Sequence, residues 1–405
     1  MSKLDDLIQK YCPDGVEFVR LKDVCIKVCS GGTPSRGNGD YFSGYIPWLR
    51  TQEVDFKDIY DTEIKITKEA VKNSSAKVIP ENCVIVAMYG ATAGKAGINK
   101  IPLTTNQACC NLQIDPQKAL YKYVYYWVCN EYENIKALGQ GSQNNINAQI
   151  VKDYPIPVPP LPVQEEIVRI LDNFTELQAE LQAELQKRKQ QYNFYRGKLL
   201  SFEGREDIQW KTLGEVMTIS RGASPRPIQS FLTNDENGIP WIKIGDTTPE
   251  SKYVSSTKEK VTKEGAAKSR FLKRGSFILS NSMSFGRPYI LEIDGCIHDG
   301  WISMCDFEEH LNSDFLYHLL RSDVVQGYWI SKANSGGAVT NLNSDIVRST
   351  LIPIPSLKEQ IQSSAILDRF DTLTNDLTQG LPAEIEKRKQ QYEYYRDKLL
   401  TFKRI

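Results

Sequence analysis

The longest regular pattern in the chain runs from Val163 to Phe202, where apolar residues recur at steps of three and four positions. The apolar positions of this stretch are Ile167, Ile170, Phe174, Leu177, Leu181, Leu185, Tyr192, Tyr195 and Leu199. This spacing places them on one face of an α-helix, and no proline interrupts the stretch. The pattern therefore predicts a single amphipathic helix about 60 Å long, at about 1.5 Å per residue.

The same pattern returns between Ser356 and Phe402, with one difference. Its apolar positions are Ile361, Leu367, Phe370, Leu373, Leu377, Ile385, Tyr392, Tyr395 and Leu399. Gly380 and Pro382 fall inside this stretch, so we expect a kink or a break there. An exposed apolar stripe of this length is unfavourable in water, and the other stretch carries a complementary one. We therefore expect the two helices to pack as an antiparallel coiled coil, with the globular parts at opposite ends.

The two stretches belong to a duplication of the whole chain. The segment KRKQQYNFYRGKLLSF at 187–202 returns as KRKQQYEYYRDKLLTF at 387–402, with 12 of 16 positions identical. Weaker matches precede both copies, namely YIPWLR (45–50) with GIPWIK (238–243) and GSQNNINAQIV (141–151) with GAVTNLNSDIV (337–347). The sequence is thus two copies of a segment of about 200 residues, each a globular part followed by a long helix.

Short apolar runs bounded by glycine, proline, asparagine and serine characterise both globular parts. Runs such as VIVAM (84–88) and SFILS (276–280) predict strands of a mixed α/β domain. The segment 121–135 is long and apolar enough for a helix, although its aromatic residues and valines leave a strand possible. The expected fold class is α+β, with two pseudo-two-fold-related mixed α/β domains separated by an antiparallel pair of long helices. The expected boundaries are 1–155 and 205–350 for the globular domains, 156–204 for the central helical spacer and 351–405 for the C-terminal helical spacer.

The composition of the 405 residues excludes several classes of protein. No apolar run approaches the roughly 18 residues of a membrane span. The N-terminus MSKLDDLIQKY lacks the features of a secretory signal, so a cytoplasmic protein is expected. Nine cysteines include no C-x-x-C pair and there are only three histidines, which argues against a disulfide framework or a metal site. Fifty basic and fifty acidic residues cancel, so a surface for DNA would have to be local or be completed by a partner.

Two related domains on a stiff rod suit the reading of two short sites separated by an unread spacer. DNA is such a polymer, and dimeric DNA readers space their half-sites by helical turns of about 34 Å. A rod of about 60 Å is of the right order for two half-sites on one face of a duplex. Because the two domains differ in sequence, the target need not be a palindrome. A bipartite scaffold or regulator that binds only proteins is the alternative that the same shape allows.

The repeated helices are accompanied by further motifs: the proline-rich segments PIPVPPLPVQEEI (155–167) and IPIPSLKEQI (352–361), with GGTPSR (31–36), IPWLR (46–50) and TNQA (105–108). Together they resemble the specificity (S) subunit of type I restriction-modification systems, over essentially the whole chain. The resemblance implies two target recognition domains, each reading one part of a split DNA target, and two helical regions that dock two modification (methyltransferase) subunits. It also implies that those partners bind S-adenosylmethionine and methylate adenine, and that the restriction (translocase and nuclease) subunits use ATP and Mg²⁺.

This chain itself is expected to be non-catalytic, with no cofactor and no metal. It has no N-P-P-[YF] or D-P-P-[YF] tetrapeptide, which the adenine methyltransferases implied by the resemblance use to hold the flipped base. The segment GATAGKA (90–96) differs from a P-loop in the spacing of its glycines, and Ala96 stands where a Mg²⁺-binding Ser or Thr is required.

The first long helix contains LQAE twice in tandem, at 177–180 and 181–184, whereas the second contains GLP at 380–382. The resemblance implies that such repeats set the length of the spacer. Four helical residues add about 6 Å and about 40° of rotation, comparable with about one to two base pairs. We predict that deletion of Leu181 to Glu184 shortens the spacer and leaves both half-site sequences unchanged.

Polar and basic side chains on exposed segments are the candidates for DNA contact, since such groups read base edges or hold phosphates. In the first domain they are Arg36, Asn38, Arg50, Gln52, Lys95, Asn106, Gln107, Gln143, Asn144 and Asn145. In the second they are Arg221, Arg226, Lys243, Asn281, Arg287, His298 and Asp299. An ordinary role in a loop or at a strand end is the alternative for each. The segment 252–274, with eight basic and two acidic residues, is either a phosphate-contacting face or a merely solvated one.

The repeated helices also contain candidates for partner contact. Helical spacing predicts that the tyrosines at 192, 195, 392 and 395 are core residues and do not stack on bases. The polar residues beside them in both copies are candidates for docking a methyltransferase subunit: Gln190, Gln191, Arg196, Gln390, Gln391 and Arg396. Asn147 and Asn343 occupy matched positions before the proline-rich segments, where a capping or turn role is expected.

Overall fold

The computed structural model describes residues 3–139, 145–248, 251–281, 285–333, 341–376 and 378–405. The chain divides into two compact units, Met1–Ala179 with Arg388–Ile405 (unit 1) and Glu180–Lys387 (unit 2). Both divisions fall inside long helices. Each unit therefore contains one globular domain, the start of one long helical region and the end of the other.

In the first half of the chain the segment 121–135 is helical, as predicted, but it is divided into two helices at Glu131. In chain order the elements of this half are α1 (Lys3–Tyr11), β1 (Phe18–Arg20), β2 (Cys25–Ser30), β3 (Ile46–Leu49), β4 (Lys57–Ile59), β5 (Lys65–Ile66), α2 (Lys68–Lys72), β6 (Val84–Ala87), β7 (Ala96–Asn99), β8 (Thr104–Thr105), β9 (Cys109–Ile114), α3 (Tyr121–Asn130), α4 (Tyr132–Ala137), α5 (Ala148–Asp153), β10 (Pro155–Pro157) and α6 (Leu161–Leu199).

The second half of the chain repeats this succession. Its elements are β11 (Gln209–Thr212), α7 (Leu213–Val216), β12 (Thr218–Arg221), β13 (Leu232–Thr233), β14 (Ile239–Ile242), β15 (Tyr253–Val254), β16 (Glu259–Val261), α8 (Lys263–Ala267), β17 (Arg270–Leu272), β18 (Phe277–Ser280), β19 (Pro288–Leu291), β20 (Gly295–Ile297), β21 (Trp301–Cys305), α9 (Ser313–Leu320), α10 (Asp323–Ala333), α11 (Ser344–Arg348), β22 (Leu351–Ile354), α12 (Leu357–Asn375) and α13 (Leu381–Leu400).

The two units share one sheet order, which confirms two related mixed α/β domains. The main sheet runs β2-β9-β6-β7-β4 in unit 1 and β12-β21-β18-β19-β15 in unit 2. In both, the last pair is parallel and the other neighbours are antiparallel. A second sheet contains β5-β3-β8 in unit 1 and β13-β16-β14-β20-β17 in unit 2. Every residue of the inner strands β6 and β18 is buried, which explains their continuous apolar sequences.

The two long helical regions differ as the glycine and proline pattern predicts. Helix α6 has 39 residues without a break, and neither it nor another helix of the described ranges is apolar enough to cross a membrane. Its counterpart is divided into α12 and α13, with Pro382 in the first turn of α13. A Cβ on Gly380 would lie 2.4 Å from the carbonyl oxygen of Thr372, so the turn requires glycine. The expected interruption is therefore confirmed.

Inside each unit, the apolar face of the helices packs on the globular domain. In unit 1, Leu171 is fully buried, and Phe174 stacks on Tyr395 with ring centroids 5.6 Å apart. In unit 2, Phe370 stacks on Tyr195 with ring centroids 5.5 Å apart. The start of one helical region thus meets the end of the other within each unit, which is the order of contacts that antiparallel helices require.

Local hydrogen bonds fix the segments that lead into these helices. The carboxamide of Gln164 is fully buried and accepts from the backbone N–H of Leu120 at 2.9 Å, while donating to two backbone carbonyls. Gln360 repeats this arrangement with Asn312, at 2.8 Å, and two further carbonyls. Each glutamine lies near the start of its helix and therefore provides hydrogen-bond partners for three backbone groups.

The asparagines before α5 and α11 have the capping role that their matched positions predict. The Oδ1 atoms of Asn147 and Asn343 each accept hydrogen bonds from two backbone N–H groups in the first turn of their helices. Because these N–H groups have no partner inside the helix, the side chain supplies one.

Candidate nucleic-acid interface

Four segments of unit 1 meet at one edge of its sheets, where β2, β3, β6 and β8 end. The backbone N–H groups of Gly32, Met88 and Asn106 each donate to a carbonyl of another of these segments, at 2.8, 2.8 and 2.9 Å. Strands therefore hold the loops in fixed relative positions, as in many binding sites. We call residues 31–38, 50–53, 88–95 and 106–108 the first loop edge.

Unit 2 contains the same arrangement. The N–H groups of Ala223, Asn281 and His298 donate to the corresponding carbonyls, at 3.3, 3.1 and 3.2 Å. We call residues 222–228, 243–246, 281, 285–287 and 298–300 the second loop edge. The two edges can therefore be compared position by position.

Each edge contains a glycine in the left-handed backbone region shortly before the next strand of the main sheet. Gly94 and Gly286 have φ angles of 87° and 66°, which glycine adopts more readily than other residues. A Cβ on Gly286 would lie 2.9 Å from the indole ring of Trp329. The residue after each glycine is basic, so Lys95 and Arg287 occupy equivalent positions, and Arg287 is half-buried.

Four of the residues predicted for the first domain are exposed on the first loop edge. The side chain of Asn38 accepts a hydrogen bond from the backbone N–H of Asp40 at 3.2 Å. The carboxamide oxygen of Gln107 is in contact with the hydroxyl of Thr33. The exposed residues are Arg36, Asn38, Gln52 and Gln107.

Two cations predicted to contact DNA are instead paired with carboxylates. Arg50 lies against Glu53 and Glu63, and its side chain is only 23% exposed. The Nζ atom of Lys95 lies 2.5 Å from Oδ1 of Asp55. Both ion pairs join segments of unit 1. A contact of Arg50 or Lys95 with DNA stays a prediction.

Two asparagines predicted to read bases use their amide oxygens inside the loops. Oδ1 of Asn106 accepts from the N–H of Ala108 at 3.2 Å, and Oδ1 of Asn145 accepts from the N–H of Gly90 at 3.3 Å. Both asparagines therefore stabilise loops of unit 1, and their contact with bases stays a prediction. The predicted residues Gln143 and Asn144 lie outside the described residues.

The second loop edge brings predicted residues together around Asp299. Its backbone oxygen accepts from Nε of Arg221 at 3.0 Å and from Nδ2 of Asn281 at 3.3 Å. Its carboxylate accepts from the hydroxyl of Ser224 at 2.8 Å and lies 3.7 Å from the guanidinium of Arg226. Arg226 itself is 84% exposed, so it extends from this cluster into solvent.

His298 has the loop-stabilising role that Asn106 has in unit 1. Its Nδ1 accepts from the N–H of Gly300 at 2.8 Å, which places the ring proton on Nε2, 3.3 Å from the Asp299 carboxylate. The hydrogen bond from Ser224, aided by His298 and opposed by burial, holds the pKa of Asp299 below its ordinary value. Asp299 is therefore ionised near neutral pH and can only accept hydrogen bonds.

The basic residues of the second domain divide into paired and exposed groups. The ammonium of Lys243 lies 2.6 Å from Glu259, so Lys243, like Arg50, is paired with a carboxylate, and its contact with DNA stays a prediction. Lys252 is 13% exposed and lies between Asp314 and Asp368, at 2.7 and 2.8 Å, which excludes it from a solvated or phosphate-contacting face. The exposed basic residues of the segment 252–274 are Lys258, Lys263, Lys268, Arg270, Lys273 and Arg274.

Two arginines predicted to dock a partner lie against their own units. The guanidinium of Arg196 is 3.3 Å from Asp323, and its side chain is 12% exposed. Nε of Arg396 donates to Asn130 at 2.9 Å. Both arginines therefore join a long helix to the globular domain of their unit, and their part in docking stays a prediction. Of the other docking candidates, Gln190, Gln390 and Gln391 are exposed and Gln191 is half-buried.

Two exposed aromatic pairs lie next to these positions. Their more exposed members, Phe194 and Tyr394, were not identified from the sequence. Phe194 meets Tyr195 edge to face at 5.4 Å, and Tyr394 meets Tyr395 in the same way at 5.3 Å. Phe194 and Tyr394 are 64% and 62% exposed. Their recurrence at one position of the repeat, off the apolar stripe, is the signal that would have found them.

The core prediction for the four tyrosines is only half right. Tyr192 is 3% exposed, and Tyr392 packs against the core of unit 1. Tyr195 and Tyr395 each cover a phenylalanine with one ring face, yet they are 40% and 42% exposed. Among the described residues, no group of histidine, cysteine, aspartate and glutamate side chains is suited to a metal ion.

Comparison with known proteins identifies one family. The family described as type I restriction modification DNA specificity domain matches residues 13–188 and again residues 205–387. The chain is 39% identical over 303 residues to the EcoR124I/EcoR124II specificity subunit of Escherichia coli, covering 71% of this chain and 72% of that protein. It is 30% identical over 399 residues to the EcoprrI specificity subunit of Escherichia coli, covering 94% and 93%.

A solved structure supports the same fold. It concerns complex assembly and conformational transition of the type I R-M system, and one of its chains matches with a TM-score of 0.64. The identity is 19%, and the match covers 96% of this chain and 98% of that chain.

Proposed function

The chain belongs to the family of type I restriction-modification DNA specificity domains, and from this premise we propose that it is a specificity subunit whose two loop edges each read one part of a split DNA target. The long helices set the unread distance between the two parts. The subunit performs no chemistry itself and directs partner subunits to the target.

The observation that carries this proposal is the repetition of one loop frame with different outward side chains. Gly32, Met88 and Asn106 of unit 1 make the same backbone hydrogen bonds as their counterparts in unit 2. Gln107 in the first edge is replaced by Asp299 at the matched position of the second. A frame that is kept while its polar groups change is what two unlike half-sites require, because base edges are distinguished by donor and acceptor pattern.

Exposed arginines give each edge a local attraction for phosphate. Arg36 and Arg226 both lie on the loop that follows the first strand of the main sheet, and both are exposed. The net charge of the chain is zero, so these cations supply only part of the electrostatic attraction to DNA. The remainder is assigned to the partner subunits.

The exposed aromatic pairs are the surfaces that we assign to two modification subunits, together with the neighbouring Gln190 and Gln390. Aromatic side chains with this exposure are enriched in protein interfaces. The partners would bind S-adenosylmethionine and transfer the methyl group to adenine. Restriction subunits would join the same complex with ATP and Mg²⁺, in the cytoplasm.

An exchange of one domain tests the assignment of reading to the units. The chain is produced with its modification subunits in a host free of other adenine methylation, and methylated motifs are found by single-molecule sequencing. Replacing residues 1–150 by the corresponding domain of a relative should change one half of a two-part motif. Methylation without a two-part motif, or a change in both halves, would contradict the proposal.

Deletion of Leu181 to Glu184 tests the spacer by the same measurement. Removing four helical residues shortens α6 by about 6 Å, so the spacer should lose about one to two base pairs. Both half-sites should stay as they are. An altered half-site would contradict the proposal that the helix sets only the length of the spacer.

Alanine substitution of the exposed aromatics tests the docking surfaces. Phe194→Ala and Tyr394→Ala together should weaken binding of modification subunits by about 100-fold, as expected of interface anchors. Tyr45→Ala is the matched control, because Tyr45 is 65% exposed in the globular part of unit 1. Equal binding by all three proteins in a titration would place the partners elsewhere.

A further inference from the structure

One hydroxyl meets one polar side chain at the same place on both loop edges. In unit 1, the hydroxyl of Thr33 contacts the carboxamide oxygen of Gln107. In unit 2, the hydroxyl of Ser224 donates to the carboxylate of Asp299 at 2.8 Å. Each contact joins the loop after the first strand of the main sheet to the segment before β9 or β21.

Backbone hydrogen bonds establish that the two contacts are equivalent. The N–H groups of Gly31 and Gly222 donate to the first residues of β9 and β21, at 3.4 and 2.8 Å. Thr33 lies two positions after Gly31, and Ser224 lies two positions after Gly222. Thr33 therefore corresponds to Ser224, and Gln107 corresponds to Asp299.

The residue just before each polar side chain has a different role. Asn106 and His298 turn back and accept a hydrogen bond from the N–H two residues further on, at 3.2 and 2.8 Å. That role is common to both units although the residue types differ. The next residue is exposed in unit 1 (Gln107) and 32% exposed in unit 2 (Asp299). The head groups of these two residues differ in donors and acceptors.

From this juxtaposition we infer that Gln107 and Asp299 are matched specificity-determining residues, with Gln107 reading an adenine in one half-site and Asp299 a cytosine in the other. The inference rests on the proposed function and deepens it. Thr33 and Ser224 are positioning residues that fix the direction of the two head groups.

Hydrogen-bond chemistry decides which base each residue takes. With one lone pair of Gln107 Oε1 facing the Thr33 hydroxyl, its second lone pair and the Nε2 protons remain for the N6 donor and N7 acceptor of adenine. Asp299 is ionised and has no proton to donate. Its carboxylate accepts from N4 of cytosine, whereas N7 of adenine or guanine would repel it.

Exchange of the two head groups tests the inference. The complex with modification subunits is produced with Gln107→Asp, and methylated motifs are determined by single-molecule sequencing. One adenine of the first half-site should become cytosine, with a preference of about tenfold or more. Asp299→Gln should convert one cytosine of the second half-site to adenine, and the other half-site should stay unchanged in each case.

The matched control is Gln117→Asp, which makes the same chemical change at an exposed position of unit 1 outside the first loop edge. Because Gln117 is not part of the proposed reading surface, this variant should keep the parental motif. Selection of bound duplexes from a random pool by the purified complex provides a second readout if a variant methylates poorly. Thr33→Val should broaden the base choice at the position that Gln107 reads and at no other.

The outcomes separate this inference from the function on which it rests. If the unsubstituted complex has no two-part motif, the proposed function fails. If it has one and Gln107→Asp leaves the first half-site unchanged, alters the second, or assembles without binding any duplex, the inference fails alone. A motif change by Gln117→Asp would also overturn the assignment to Gln107.

Discussion

The two loop edges share a set of backbone hydrogen bonds but differ in the polar side chains at matched positions. The segments that lead into the long helices are alike both in their backbone contacts and in the glutamine that makes them. Gln164 and Gln360 make the same three hydrogen bonds with the backbone. At the edges, Gln107 and Asp299 share a hydroxyl partner and little else. The glutamines near the start of the long helices have therefore kept their chemistry, whereas Gln107 and Asp299 have changed theirs.

A third region lies between these extremes. In unit 1, Asp172 of α6 accepts from the hydroxyl of Tyr126 at 2.7 Å. In unit 2, the matched Asp368 lies 2.9 Å from Nε2 of His318, a fully buried ring whose Nδ1 faces the hydroxyl of Tyr192 at 3.1 Å. A lysine contacts the carboxylate in both units, Lys122 in unit 1 and Lys252 in unit 2, but the second partner changes from a tyrosine to a histidine.

The largest expected effect comes from the shared glutamines. Gln164→Leu and Gln360→Leu each leave three backbone groups without a partner in a buried site, at about 1–3 kcal/mol per group. We expect each variant to lower the free energy of unfolding of its own unit by about 3 kcal/mol or more. Hydrogen exchange resolved by peptide would measure this for each unit separately.

Exposed neighbours provide the controls for these variants. Glu165 and Gln362 lie on the same helices and face solvent. Glu165→Leu and Gln362→Leu should change stability by about 0.5 kcal/mol or less. A loss below about 1 kcal/mol in either glutamine variant, or a large difference between the two, would break the claim that the lead-in segments are equivalent.

The next prediction concerns the contact between the long helix and the globular domain, which contains a histidine only in unit 2. His318→Phe removes one hydrogen-bond partner from each of Asp368 and Tyr192, while Lys252 still contacts Asp368, so unit 2 should lose about 2 kcal/mol. His318→Tyr copies unit 1 and should cost less. Equal losses from both substitutions would mean that the ring fills space and that its hydrogen bonds contribute little, which chemical denaturation of the full chain would reveal.

The same histidine should make unit 2 sensitive to mild acid. Burial lowers the pKa of His318 below its ordinary value, against the opposing effect of Asp368, so the folded unit favours the neutral ring. The stability that this provides is complete above about pH 6.5 and decreases as the pH falls from there through the lower folded pKa. Tyr126 has no such transition. Hydrogen exchange at pH 7 and pH 5 should therefore show a selective loss in unit 2, and His318→Tyr should remove it.

The long helices could be predicted from the sequence because their signals are local. The apolar spacing around Leu171 and Phe174 indicates a helix, and Gly380 with Pro382 indicates its interruption. The capping roles of Asn147 and Asn343 were also readable, since each acceptor lies within three residues of its donors. In all these cases the partners are neighbours in the chain.

The charges of the loop edges could not be predicted in this way. Arg50 and Lys95 look like free cations in the sequence, but their carboxylate partners include Glu63, 13 residues away, and Asp55, 40 residues away. Sheet topology brings these groups together, and a linear pattern does not contain that information. The contact between Thr33 and Gln107, across 74 residues, was missed for the same reason.

The helix caps should produce a smaller and equal effect in both units. Asn147→Ala and Asn343→Ala each remove the acceptor for two N–H groups, at a cost of about 1 kcal/mol. Asn147→Asp is the control, because aspartate caps as well as asparagine. If the losses of unfolding free energy caused by Asn147→Ala and Asn343→Ala differed by more than about 1 kcal/mol, the capped helices of the two units would not be equivalent. Thermal unfolding of the full chain would suffice for this comparison.

The smallest expected effect is an exchange of the two positioning hydroxyls. Thr33→Ser and Ser224→Thr preserve the group that contacts Gln107 or Asp299, so stability should change by about 0.5 kcal/mol or less and both half-sites should be unchanged. Motif sequencing of the double variant measures this directly. If either half-site changed, the methyl group of residue 33 or 224 would take part in reading, and the two edges would differ in frame as well as in head group. An unchanged motif would show that the two positioning hydroxyls are interchangeable. The difference between the half-sites would then be assigned to the head groups of Gln107 and Asp299.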